Sequence, residues 1–215
     1  VPVRRRVVLE GIRFAAGVAS RPCDVVTHWR AATGGKIVGC HPPSIVPELP
    51  HSAGLLPIGI ESREDLSLFS GQVNAWLMET DLPSFSAHPI SIPRFVFPGA
   101  APASLEEALE RIEALAEWLD AVSGSPASEG GLWKSIRAYA FRRSLLQALD
   151  ERSTRESGFL TPEEGRSIVR AGLFLPPEAH SRLLSSILDV DYGPAAIPAE
   201  GEKGDPLIVL AKRLM

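Results

Sequence analysis

Cys40, His41, Ser44, Glu48 and His51 lie close together in the chain, and their types allow two chemistries. A thiol beside an imidazole is the pairing of nucleophile and base. At the helix start beside Ser44 and Glu48, backbone N–H groups point outward and can hold a carbonyl or phosphate oxygen. The helix N-terminus also keeps such a glutamate ionised, which makes Glu48 an acceptor or base rather than an acid. Each residue has a plainer reading. Neighbours in a strand point to opposite faces, so Cys40 and His41 diverge and Cys40 packs as a small apolar side chain. Glu48 merely satisfies a helix end, and His51 is a half-buried polar residue. The expected site has Glu48 and Ser44 in catalytic roles, with His41, Cys40 and His51 contacting substrate.

The elements that must position these residues are short. Lys36 to Cys40 reads as a buried strand, and Pro42-Pro43 stops it. Pro47 suits the first position of a helix. Pro50 lies one turn further and would clash with the carbonyl of Val46, so this helix must be short, kinked or shifted. Gly54 ends it, and Leu55 to Ile60 forms a second strand. A strand, a helix and a strand in this order make a parallel pair with a right-handed crossover. Ligands of such sheets sit beyond the carboxyl ends of the strands, which is where Cys40 to Glu48 fall.

Residues 1–33 carry apolar positions that predict two helices, broken near Pro22 and ending near Thr33-Gly34-Gly35. Trp76, Leu77 and Met78 form an apolar cluster without a clear element. Ile90, Ile92, Phe95 and Phe97 predict a third strand, cut by Pro93. From Ala100 the pattern turns helical. Ser104 with Glu107 is a capping box, and Leu105 to Val122 repeats at threes and fours until Gly124. A second long helix follows Gly130-Gly131 and pairs with the first as an antiparallel hairpin. Thr161-Pro162-Glu163-Glu164 opens a helix that ends near Gly172, and Pro177 to Val190 gives the last one. Tyr192 to Gly204 reads as a linker, and Leu207 to Leu210 as a strand.

The expected class is α/β. A Rossmann-like parallel sheet flanked by helices occupies residues 1–99, a helical segment 100–192, and a linker with the first strand of a second sheet domain 193–215.

Composition narrows the function. The chain has 215 residues, 45% of them hydrophobic and 22% charged, which is enough for a buried core. A net charge of −4 offers no basic surface for nucleic acid. No apolar run reaches the length of a membrane helix, and no secretory leader is recognisable. Two cysteines, Cys23 and Cys40, are too few for a disulfide framework or a four-cysteine metal site. A reducing cytoplasm is the expected compartment, and the start at Val1 predicts that an upstream piece is absent. Cys23, His28, Cys40 and His41 have no metal-ligand spacing.

The order of motifs resembles the 2-hydroxyacyl-CoA dehydratase and benzoyl-CoA reductase family. Lys36 to Gly39, Pro47-Glu48, His51 to Gly54 and Pro57 are similar to its opening motif, with Pro50 in place of an aliphatic residue. Leu109 to Gly124 resembles a helix that ends in a small-residue glycine turn. Ser135-Ile136, Ala138-Tyr139 and Arg143 look like the next helix, although Ala140 and Phe141 stand where the family has asparagines. Arg170 to Pro176 with Glu178 resembles a further junction. The resemblance implies a CoA-thioester substrate, a [4Fe-4S] cluster and one-electron ketyl-radical chemistry leading to dehydration or reduction. It also implies a homologous partner subunit and an ATP-dependent activator that donates electrons. Neither nucleic acid nor membrane is implied. The family's cluster cysteines have no counterpart between Glu61 and Pro89. The chain is thus read as an incomplete subunit of this type, or alternatively as a cluster-less partner or scaffold of the same fold. An unrelated domain using the same strand–helix corner is a third reading.

Overall fold

A computed structural model of the chain describes residues 3–79, 92–99 and 101–190. The described residues form two compact units. One is drawn from the chain before Trp29 and after Ile136; the other runs from Trp29 to Ile136. Ile90 and the segment 193–215 lie outside the described residues.

The second unit is α/β. Strands β1 (Ile37–His41), β2 (Leu56–Gly59), β3 (Ala75–Met78) and β4 (Arg94–Val96) form one sheet in the order β2-β1-β3-β4. All three neighbouring pairs are parallel, with Gly39 opposite Ile58 on one side and Trp76 on the other. β2 and β3 are buried along their length and β1 as far as Cys40, as parallel strands covered on both faces must be. Period-two alternation sends Val38 and Cys40, with Ala75 and Leu77, into one cluster. There they meet Leu109, Ile112, Leu115 and Leu119 of helix α5 (Leu105–Ser123) and Leu132 and Ile136 of helix α6 (Glu129–Arg155).

Between β1 and β2 lies helix α3 (Glu48–Ser52), only five residues long. Pro50 explains its shape. Pro47 caps the helix from outside, and Glu48 is its first residue. Pro50 thus falls in the first turn, where backbone N–H groups lack an intrahelical partner anyway. The helix is both short and shifted, and Gly54 follows its end at φ +75°.

Two differences from the sequence reading stand out. Trp76 to Met78 belongs to a central strand, paired with β1 and β4 at once. It was hidden because four consecutive apolar residues have no period to read. β4 begins only after Pro93, whose carbonyl accepts the Trp76 amide at 2.9 Å. Proline is tolerated there because the residue needs only to accept. The other elements of this unit follow their signals. Helix α4 (Arg63–Phe69) starts on a Ser62–Asp65 capping box. The Ser104 side chain accepts the Glu107 amide, but the Glu107 carboxylate accepts the amide of Ala103 rather than that of Ser104, so only half of the expected capping box forms. Gly124 ends α5 in the left-handed conformation.

The first unit is helical. Helix α1 (Val3–Ser20) packs on α7 (Pro162–Ala171) and α8 (Pro177–Leu188). Gly11 allows that approach: a Cβ there would press on Ile187 Cγ1 at 2.9 Å. α7 opens on the Thr161–Glu164 capping box with Pro162 at its start. Helix α2 (Pro22–Thr33) and α6 contribute residues to both units.

Candidate functional site

Three adjacent strands end at one place in the α/β unit. The Glu79 amide donates to the His41 carbonyl at 2.9 Å, and the Phe97 amide to the Met78 carbonyl at 2.6 Å. The residues just past these ends line a cavity of about 330 Å³. Pro42, Ser44, Ile45 and Val46 come from the β1 corner, Glu79 follows β3, and Phe97, Pro98 and Gly99 follow β4. Ala101 and Pro102 lead into α5, which adds Ala108, Arg111 and Ile112. The position is the one that open parallel sheets use for ligands, and the volume is of the order of a small-molecule site.

The corner is held tightly. The Ile45 amide donates to Pro42 O at 3.1 Å, the Val46 amide to Ser44 O at 2.8 Å and the Leu49 amide to Val46 O at 3.1 Å. Closing these turns puts Val46 at φ +32°. A β-branched residue in that region is strained by roughly 1–3 kcal/mol, and such strain gathers at ligand sites.

The charged side chains on the described wall are Glu79 and Arg111. Arg111 is 16% exposed and pairs with Glu107 one turn earlier on α5. The Glu107 carboxylate also accepts the Ala103 amide at 2.7 Å. That amide first, and then the guanidinium, hold the Glu107 carboxyl below its ordinary range.

Of the residues singled out in the sequence, Ser44 is exposed and lines the cavity. His41 turns its Nδ1 to the Ile60 carbonyl at 2.8 Å. Cys40 is buried in the core, and burial pushes its thiol up to about 12. It is therefore a packing residue and no thiolate nucleophile at neutral pH. Glu48 is buried. Its backbone carbonyl accepts from Ser135 Oγ at 2.7 Å, and Ser135 Oγ lies 2.9 Å from His51 Nδ1. Because the serine proton goes to the carbonyl, the imidazole must donate to the serine oxygen. Ser135 and His51 are thus not a nucleophile–base pair. None of Cys40, His41, Glu48 and His51 is among the cavity-lining residues.

Sequence reasoning missed Glu79 and Arg111. Glu79 follows a strand that was not recognised. Arg111 could have been found from its spacing to the Glu107 cap, which makes it an ion-pair partner on the cavity side of α5.

No family model matches the chain. Over 91 residues it is 33% identical to one of the subunits of benzoyl-CoA reductase from Thauera aromatica. The chain is partly similar to that protein. The shared stretch is 42% of this chain and 22% of the relative, so the chain spans less than a quarter of the length of the protein it matches.

An iron–sulfur cluster does not fit the residues present. The chain has two cysteines, where cluster sites use about four thiolates. Among the described residues no group of three or more His, Cys, Asp or Glu could hold a metal ion. Among the same residues no helix is long and apolar enough to cross a membrane.

Proposed function

We propose that this chain is part of a subunit of a CoA-thioester enzyme related to benzoyl-CoA reductase, and that the cavity beyond β1, β3 and β4 receives the thioester. The observation that carries the reading is the coincidence of a partial benzoyl-CoA reductase likeness with a cavity at the carboxyl ends of a parallel sheet. Ile45, Phe97 and Ile112 supply apolar wall for an acyl group, and Ser44 supplies a hydroxyl at the rim. In this reading Ser44 meets the ligand directly, while Cys40, His41, Glu48 and His51 build the corner that presents it. Water exclusion by the apolar wall would strengthen every polar contact made to the thioester.

The electron-transfer step of such an enzyme is not assigned to these residues. A homologous subunit and an ATP-dependent electron donor are the partners this reading calls for. A second reading, in which the chain binds or scaffolds without turnover, is favoured by its cysteine content. Titration calorimetry of the full chain with benzoyl-CoA, CoA and benzoate tests the main proposal. Saturable binding of benzoyl-CoA, tighter than CoA and weakened by Ser44→Trp, is expected. Absence of benzoyl-CoA binding overturns it.

A further inference from the structure

We infer that Arg111 receives the carbonyl oxygen of the thioester and that Glu107 is its positioning residue; this rests on the thioester reading above. A carbonyl oxygen is an acceptor only, and it needs a donor on a wall that is otherwise mostly apolar. Of the two charged side chains on the described wall, the Glu79 carboxylate repels such an oxygen and the Arg111 guanidinium attracts it. Arg111 is largely withdrawn from water, at 16% exposure, so its charge is less screened than that of a surface arginine.

Glu107, which is not among the cavity-lining residues, is one of the groups that hold Arg111. The Glu107 amide donates to Ser104 Oγ at 3.1 Å, and the Glu107 carboxylate accepts the Ala103 amide at 2.7 Å. That carboxylate is thereby anchored at the start of α5, where the helix terminus also favours it. It then grips the guanidinium one turn on. A guanidinium has five donors in a rigid fork and serves several acceptors at once. Pairing with Glu107 therefore helps to aim Arg111. A cation facing the carbonyl oxygen draws electron density from the thioester carbon. It also stabilises negative charge developing on that oxygen.

The test compares benzoyl-CoA with S-benzyl-CoA, in which a methylene replaces the carbonyl. Binding of both is measured on the full chain in wild type, Arg111→Gln, Arg111→Lys and Glu107→Gln. Arg111→Gln is expected to weaken benzoyl-CoA by about tenfold or more, the scale of a hydrogen bond to a charged group, and to leave S-benzyl-CoA within about twofold. Arg111→Lys should recover part of the preference, and Glu107→Gln should lose part of it. A loss shared equally by both ligands, or no loss, overturns the role of Arg111 while leaving the thioester reading in place. A wild-type chain that binds neither ligand overturns the thioester reading, and this inference with it.

Discussion

Lys36 Nζ donates to the carbonyl of Val122 at 2.7 Å and to that of Ser123 at 3.2 Å. The residue just before β1 thus ties down the last carbonyls of α5, beside the left-handed Gly124. A cation at a helix C-terminus contributes roughly 0.3–1 kcal/mol, and exposure of Lys36 places it within that range. Lys36→Met is expected to lower the urea midpoint by an equivalent amount with an unchanged slope. Salt should shrink the difference between variant and wild type. An identical midpoint would mean that the contact adds nothing.

Val46 makes a less ordinary prediction. Val→Gly in a buried strand removes a side chain and adds backbone freedom, together costing on the order of 3 kcal/mol. Val38, fully buried in β1, should show that loss. At Val46, φ is +32°, which glycine adopts freely and valine does not. Relief of about 1–3 kcal/mol of strain should offset most of the lost packing of this half-buried side chain. Val46→Gly is expected within about 1 kcal/mol of wild type by urea unfolding. Equal losses at the two sites would show that the corner stores no strain.

Ser135 is fully buried and serves two partners, the Glu48 carbonyl and His51 Nδ1. Ser135→Ala removes both hydrogen bonds at once, each worth about 0.5–1.5 kcal/mol. The variant is expected to lose on the order of 2 kcal/mol in chemical denaturation. Ser135→Ala combined with His51→Leu should lose less than the sum of the two single changes, since the imidazole no longer needs a partner. Strict additivity would mean that the serine and the histidine act independently.

What the sequence made legible was what local rules encode. Gly54, the Thr161–Glu164 box, the Gly124 stop and the helical period of α5 are decided within a few residues, and each stands where it was read. The parallel pairing of β1 with β2 followed from the intervening helix. β3 was not legible, because Ala75–Met78 is defined by burial on both faces rather than by alternation. The role of Gly39 was hidden for the same reason: a Cβ there would overlap the Trp76 ring, which packs over it from the neighbouring strand. Of the residues singled out at the corner after β1, Ser44 lines the cavity, and the charges on its wall had no signal there. Glu79 and Arg111 reach it from a strand end and a helix that only the tertiary fold brings together. Cys40 and His41 are adjacent in sequence, yet one is buried in the core and the other bonds the Ile60 carbonyl.

His180 gives the helical unit a pH dependence whose sign is fixed by burial. The ring is 1% exposed, and its Nε2 donates to the Ile168 carbonyl at 3.0 Å. Its Nδ1 has no hydrogen-bond partner among the described residues, and a Cβ on Gly172 would run into the ring. Burial above all, and then the Arg142 charge, hold its pKa down to about 4 from an ordinary 6.5. The folded protein therefore keeps the ring neutral where the unfolded chain protonates it. Between pH 6.5 and 4 the unfolded state binds more protons, so stability falls as the pH drops through this window. The contribution is complete above 6.5 and stops changing below 4; its size is on the order of 3 kcal/mol. His180→Gln retains an N–H donor for the Ile168 carbonyl and cannot titrate. Urea midpoints of wild type should drop between pH 7 and pH 5, above the range where most carboxylates titrate, while those of the variant stay nearly level. Parallel pH profiles for the two proteins would show that the ring is protonated in the fold or that water reaches it.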